Sequence, residues 1–313
     1  MALSTGETKA AAAQNERRLL VRAVEGRYRV AELLSKGGMG SIYRGWETGL
    51  ERHVAIKLLA PGRALDPDER GRFRREGRIL ASLAHRNVIP VLSTGELGDA
   101  SWFSMPCMAG TLARVLEGGA RLPAEAVRSM LVALADALDY VHQRGIIHRD
   151  IKAENILVDE EGRPVISDFG VAILRTSEHS RAEAVKGYGT PEYMAPEQFL
   201  GTTAFDGRQD IYSLGVLGFR MLTGRFPLEG SQQQIAAAHV TREIPTVRAY
   251  AADVPEDLAA AIDRCLMKNP IDRWHDAGAL REALRARTAR PAGRVVRLVR
   301  RLLHRVPTVA ALL

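Results

Sequence analysis

His148-Arg149-Asp150-Ile151-Lys152-Ala153-Glu154-Asn155 is followed, thirteen residues on, by Asp168-Phe169-Gly170. The first run sets a carboxylate and an amide five positions apart, and the second adds another carboxylate on a glycine-ended turn. Carboxylate and amide oxygens are the hard ligands that magnesium prefers. A separate carboxylate beside them can take a proton from an attacking hydroxyl. A lone His-Arg-Asp triplet or a lone Asp-Phe-Gly would carry little weight. The two together at this distance are specific.

Such a set suits phosphoryl transfer, in which the protein has little covalent chemistry to do and works by positioning and by neutralising charge. Asp150 is then the candidate proton acceptor, Asn155 and Asp168 the candidate metal ligands, and Lys152 the cation that steadies the transferring group. These residues resemble the catalytic loop and metal-binding turn of the eukaryotic-like (bacterial Hanks-type) serine/threonine protein kinases. The resemblance includes the lysine at 152, which in that family goes with serine/threonine rather than tyrosine acceptors. It implies an α+β, two-lobed fold with a small β-rich N-lobe, a larger helical C-lobe and ATP in the cleft between them. It also implies Mg²⁺ as the metal, with Mn²⁺ as the alternative, and protein Ser/Thr hydroxyls as acceptors.

The same resemblance requires further motifs, and they occur in order. Leu34-Ser35-Lys36-Gly37-Gly38-Met39-Gly40-Ser41-Ile42 stands at the place of the glycine-rich loop, with Ser35 where the first glycine is expected. Glycine lets backbone approach phosphate without a Cβ in the way. Val54-Ala55-Ile56-Lys57 reads as a strand that delivers one cation, and Glu76 occupies the family position that pairs with that lysine. Trp102-Phe103-Ser104-Met105 reads as a strand leading into a hinge at Pro106-Cys107-Met108-Ala109-Gly110. By resemblance, the nucleotide meets Leu34, Gly37, Gly38, Gly40, Ile42, Ala55, Lys57, Pro106, Met108 and Leu157. Pro106 would offer its carbonyl and Met108 its N–H. The segment from Gly189 to Glu197 matches the substrate-docking loop and its Ala-Pro-Glu anchor. Asp210-Ile211-Tyr212-Ser213-Leu214-Gly215 matches the helix whose aspartate ties down the catalytic loop. Arg273 matches the arginine that pairs with the anchor glutamate, here Glu197.

Two other classes compete with a working kinase. A pseudokinase would lack at least one of Lys57, Glu76, Asp150, Asn155 and Asp168, and all are present. A small-molecule phosphotransferase of the aminoglycoside type would share Asp150 and Asn155. It would generally lack the Ala195-Pro196-Glu197 anchor and the Gly38-Met39-Gly40 loop. Arg149 before Asp150 marks, within the family, control by loop phosphorylation. Thr176, Ser177 and Ser180 are the candidate acceptors. Thr190 is a poorer one, because its family position contacts Asp150 and Lys152.

Composition agrees. A chain of 313 residues suggests about two units at roughly 150 residues each. Two cysteines, 107 and 265, cannot build a disulfide framework, which favours a reducing, cytoplasmic setting. No stretch approaches the roughly 18 apolar residues of a spanning helix. Residues 1–14 are small and polar and read as disordered, with a short helix over Asn15–Val24. The expected organisation is a flexible segment at 1–26, a kinase domain at 27–287 and a basic tail at 288–313. Within the kinase domain the N-lobe is expected at about 27–107 and the C-lobe at about 108–287. A helix is expected near 68–84, and others over Ala124–Arg144, Gln209–Thr223 and Pro255–Met267.

The net charge is +7. Much of it is read as lying outside the lobes, at Arg281, Arg285, Arg287, Arg290 and onward through Arg305. No aromatic interleaving supports nucleic-acid binding, which is not expected. Within 294–306, Arg294, Arg297, Arg301 and Arg305 oppose Val295, Val299, Leu302 and Val306 at helical spacing. Two readings stay open for this stripe. It docks on an anionic membrane surface or a partner protein, or its apolar side packs on the large lobe.

Overall fold

A computed structural model describes residues 5–37, 40–59, 67–98, 100–169, 173–174, 190–200 and 206–285. Gly38, the loop residues Thr176, Ser177 and Ser180, and the stripe at 294–306 lie outside the described residues. The chain divides into two compact units. One comprises Met1–Ala84 and Ile89–Cys107, the other His85–Val88 and Met108–Leu313.

The first unit holds α1 (Thr5–Ala23), β1 (Tyr28–Gly37), β2 (Gly40–Glu47), β3 (Arg52–Leu59), α2 (Pro67–Ala81), β4 (Ser93–Leu97) and β5 (Ala100–Pro106). Its sheet is antiparallel throughout, in the order β1-β2-β3-β5-β4. β3 is buried from Val54 to Leu59 without a break, because both sheet faces are covered. Alternate strand residues point to opposite faces. Val54, Ile56 and Leu58 join Tyr28, Tyr43, Ala100 and Trp102 in a core closed by Leu20 and Val24. Lys57 therefore faces the other side, where Phe73 of α2 packs on Phe103 of β5 with ring centroids 5.1 Å apart.

The N-terminus departs from the expected flexible segment at 1–26. The helix starts at Thr5 rather than Asn15. Ala10–Ala13, read as part of a disordered stretch, has the highest helix propensity of any residue type. Leu20 is 0% and Val24 2% exposed, so this segment belongs to the first unit's core.

The second unit opens with β6 (Gly110–Thr111), α3 (Leu112–Val115) and α4 (Ala124–His142). Short strands follow: β7 (Ile146–Ile147), β8 (Ile156–Val158), β9 (Pro164–Ile166) and β10 (Ile173–Leu174). Then come α5 (Pro196–Phe199), α6 (Arg208–Thr223), α7 (Gln232–Thr241), α8 (Val247–Tyr250), α9 (Glu256–Cys265) and α10 (Ala277–Arg285). α6 is buried on every side from Gln209 to Phe219, the pattern of a central helix. Gly215 lets α9 approach it, since a Cβ there would lie 2.6 Å from that of Cys265.

One expected boundary and one charge assignment differ. His85–Val88 falls inside the sequence span assigned to the small lobe but belongs to the second unit. There Asn87 donates from Nδ2 to the Pro164 carbonyl at 2.8 Å, and its own carbonyl accepts from Ile166 N at 2.8 Å. A contiguous sequence span has no means of marking a tetrapeptide that pairs elsewhere. The basic charge assigned beyond the lobes also begins inside the fold. Arg281 of α10 donates to Asp136 at 2.7 Å and Asp139 at 3.2 Å on α4, and Arg285 bonds to Glu282. Among the described residues no helix is long and apolar enough to cross a membrane.

Because α1 closes a core, Leu20→Ala is expected to destabilise the first unit by about 2–5 kcal/mol, the usual cost of emptying a buried leucine site. Chemical denaturation followed by tryptophan fluorescence reads this through Trp102. An unchanged midpoint would mean that α1 is not part of that core.

Candidate active site

The second unit's site is built on a carboxylate without solvent contact. Asp210, in the first turn of α6, is 0% exposed. It accepts three hydrogen bonds: from His142 Nε2 at 2.8 Å, His148 N at 2.9 Å and Arg149 N at 2.8 Å. Burial by itself raises the pKa of this group. The hydrogen bond and charge of His142, with the donors at His148, outweigh that and hold it below the ordinary carboxylate value. His142, which ends α4, had no mark in the sequence, because its partner is 68 positions away.

This grip holds a strained turn. Arg149 has φ +69° and Asp168 φ +62°, a region that costs a side-chain-bearing residue on the order of 1–3 kcal/mol unless its surroundings fix it. His148 fixes both. Its Nδ1 accepts from Asp150 N at 3.3 Å, so Nε2 carries the proton and donates to the Ser167 carbonyl at 2.9 Å. Its ring edge also meets Phe169, with centroids 4.6 Å apart.

The β8–β9 hairpin supplies the second join. Ile156 pairs with Ile166, and Ser167 donates from both N and Oγ to the Asn155 carbonyl, at 2.9 and 3.0 Å. Asn155 and the residue before Asp168 are thereby adjacent. Asn155 donates from Nδ2 to the Asp150 carbonyl at 2.8 Å and to Asp150 Oδ2 at 3.0 Å. With the amide nitrogen so used, its oxygen remains for a cation.

Asp150 is the centre of this cluster. Lys152 Nζ lies 2.7 Å from Oδ2, and Thr190 Oγ1 donates to Oδ1 at 3.2 Å. Lys152 also donates to Thr190 Oγ1 at 2.8 Å. Lysine, threonine and asparagine therefore fix both oxygens of one carboxylate.

The segment after Thr190 is clamped from behind. Arg273, 1% exposed, pairs bidentately with Glu197 at 2.7 and 2.7 Å. Its remaining donors reach the carbonyls of Met267, Arg208 and Lys268, so a buried guanidinium is fully satisfied. The Tyr193 hydroxyl accepts from Arg220 at 2.6 Å and from Ala153 N at 3.4 Å, which ties this segment to the loop that carries Asp150.

In the first unit, Lys57 and Glu76 form an ion pair of 2.7 Å with side chains 9% and 2% exposed. Lys57 also lies over the Phe103 ring at 5.6 Å. The strand register puts Ile42 opposite Lys57, and Ala55 two positions away on the same face. Leu34 sits at an irregularity between the paired positions Leu33 and Ser35. Gly37 and Gly40 close the β1–β2 turn. Gly40 has φ +153°, and a Cβ there would come 2.0 Å from the Leu58 carbonyl oxygen, so only glycine fits. Pro106 ends β5 and pairs with Val54. The chain enters the second unit at Met108, where half-buried Leu157 pairs with Thr111 and Val165.

Among the described residues no group of three or more His, Cys, Asp or Glu side chains is set to hold a metal. The oxygens of Asn155 and Asp168, with the phosphates of a nucleotide, are instead a donor set that suits Mg²⁺.

Asp210→Ala is expected to strand buried donors and to cost about 2–5 kcal/mol of stability. The pH dependence follows from the sign of its shift. The folded pKa is lowered, so the unfolded chain binds the proton first and Asp210 stabilises the fold above the ordinary value of 3.8. That contribution fades as pH falls from there through the lower folded value. Melting curves from neutral pH to about pH 2 should show a shallower acid limb in Asp210→Asn than in wild type. Parallel limbs would contradict this role.

A protein kinase domain model matches residues 28–285. A probable serine/threonine-protein kinase of Streptomyces coelicolor is 34% identical over 85% of this chain and 40% of its own length. The serine/threonine-protein kinase PrkC of Bacillus subtilis is 33% identical over 83% of this chain and 40% of its own. The serine/threonine-protein kinase PknE of Mycobacterium bovis is 35% identical over 84% and 46%. The chain thus spans less than half the length of these relatives, and the shared part is the segment that carries the geometry above. By that match and these residues, the chain belongs to the protein kinase family.

Proposed function

We propose that the chain transfers the γ-phosphoryl group of ATP to serine or threonine hydroxyls of proteins. The observation that carries this reading is the Asp150 carboxylate held on both oxygens by Lys152, Asn155 and Thr190. A general base must be oriented before its proton arrives, and such orientation is a large part of catalysis. The acceptor hydroxyl gives its proton to Asp150, its oxygen bonds to the γ-phosphorus, and ADP leaves with the electron pair of the broken P–O bond. Lys152 stands beside the developing charge. Lys57, kept in place by Glu76, binds the α- and β-phosphates, and the Gly37–Gly40 turn supports them. By resemblance to the family, Leu34, Ile42, Ala55 and Leu157 are assigned to the base, and Pro106 and Met108 to its backbone hydrogen bonds. Asn155 and Asp168 would hold Mg²⁺, or Mn²⁺ in its place, which when bound would neutralise phosphate charge.

The intact set of Lys57, Glu76, Asp150, Asn155 and Asp168 favours catalysis over a pseudokinase role. The relatives' names support protein acceptors. Asp150→Asn and Lys57→Met should each lower kcat by about 10²–10⁴-fold; Asp150→Asn should melt near wild type, whereas Lys57→Met removes the buried charge partner of Glu76 and should melt lower. Labelled ATP, magnesium and myelin basic protein make up the assay, and wild-type transfer by Asp150→Asn would remove the base from the mechanism. Self-phosphorylation at Thr176, Ser177 or Ser180 is part of the same proposal, since phosphate can order a loop by pairing with arginine. Peptide mapping of the reacted protein tests it, and full activity with an unmodified loop counts against it.

The stripe at 294–306 supports a finer reading of partners. In this proposal the kinase is cytoplasmic and its tail lies on the anionic inner membrane face, each arginine contributing on the order of 1 kcal/mol near the surface. The full chain should float with liposomes rich in phosphatidylglycerol, less so as salt rises, and a 1–290 truncation should not. Equal flotation of the two would leave packing or a protein partner.

A further inference from the structure

The family match begins at residue 28, but the first unit's core reaches back into α1 through Leu20 and Val24. Among the described residues, Arg17 and Glu16 also bind the helix to β1 by polar contacts. Arg17 donates to the carbonyls of Val30 at 3.1 Å and Ala31 at 3.3 Å. Glu16, only 4% exposed, accepts from Lys36 Nζ at 2.9 Å. Its other oxygen, Oε1, is buried and finds no hydrogen-bond partner among the described residues. A carboxylate taken out of water is costly unless its pairing is kept, so Glu16 holds Lys36 where it is.

The position of Lys36 gives this contact its meaning. Lys36 immediately precedes Gly37 and pairs with Ser41 across the hairpin, while Gly37 pairs with Gly40. The ion pair therefore clamps the last rung before the turn that meets phosphate. Tyr43, two residues past Ser41 on the same strand face, also feels the carboxylate. Its phenol is pushed up to about 12 by burial first and by Glu16 second. At Gly40 a side chain would strike the Leu58 carbonyl, so the far side of the turn is fixed by β3. The near side is fixed by α1.

We infer that Glu16 is a positioning residue for ATP: through Lys36 it sets the base of the glycine-rich turn, so that α1 governs nucleotide affinity. The inference rests on the kinase reading for the identity of the ligand. A helix that only stabilised the sheet would alter melting and leave nucleotide affinity alone.

The experiment uses the full chain as wild type, Glu16→Gln, Lys36→Gln, the double variant and Lys36→Arg. Affinity for a fluorescent ATP analogue with magnesium is measured beside KM for ATP, kcat and melting temperature. Each glutamine variant is expected to weaken the analogue and raise KM by about three- to fivefold, the scale of one partly exposed ion pair. Saturating ATP should restore kcat in Glu16→Gln. The double variant should be no worse than the weaker single, because both changes break one bond, and Lys36→Arg should stay near wild type. Additive losses in the double variant, or wild-type affinity in Glu16→Gln, would overturn the inference. A wild-type chain that binds the analogue but transfers no phosphate would overturn the kinase reading instead, and the coupling would still be read from the binding curves. One that binds no analogue would overturn both.

Discussion

A single buried carboxylate organises the large unit. Asp210 offers two oxygens to two consecutive backbone N–H groups and one imidazole, and without it each of those donors would be buried and unpaired. Arg149 could not keep its left-handed backbone without such support. His148 would lose the N–H anchor that aims its ring at Ser167. Asp150 follows directly in the chain, so its direction is inherited from His148 and Arg149, whose backbone N–H groups Asp210 holds. The dependence runs one way. Asp210 is set by the fully packed helix α6, and the loop is hung from it.

The other fixed points are likewise buried charges met by an opposite charge, by carbonyls or by an aromatic face. Arg273 spends every N–H on Glu197 and three carbonyls. Lys57 has Glu76 and an aromatic face. Arg128, 2% exposed, reaches Asp257 at 2.9 Å and the Leu284 carbonyl at 3.3 Å, which pins α10 to α4. Pairs of this kind add little net stability compared with apolar packing. They specify one arrangement of the loops they hold.

The N-terminal helix shows where composition misleads. Thr-Gly-Glu-Thr-Lys followed by alanines has few apolar residues, and low apolar content reads as disorder. Its anchors lie further on, at Leu20 and Val24, and their partners are on strands reached only after folding. The same limit applies to Arg281. By sequence it opens a basic run, yet Asp136 and Asp139 on α4 take up its charge. A charge pattern on its own does not reveal which charges will be matched at long range.

The grouping of Asp150 with Lys152 and Asn155 was legible in the sequence because it depends on residue type at short spacing. Asp150, Lys152 and Asn155 lie within one turn of loop, and Asp168 follows a short hairpin, so their order along the chain nearly fixes their proximity. Gly40 was legible for a similar reason, since glycine alone tolerates that backbone. The tertiary structure decided what depends on distant partners. It chose His142 as the third donor to Asp210, gave the His85–Val88 tetrapeptide to the second unit, and placed Glu16 on Lys36. Local sequence encodes conformation and reactive groups. Packing decides which buried charge meets which, because desolvation, the force that makes those pairings obligatory, exists only once the chain has closed around them.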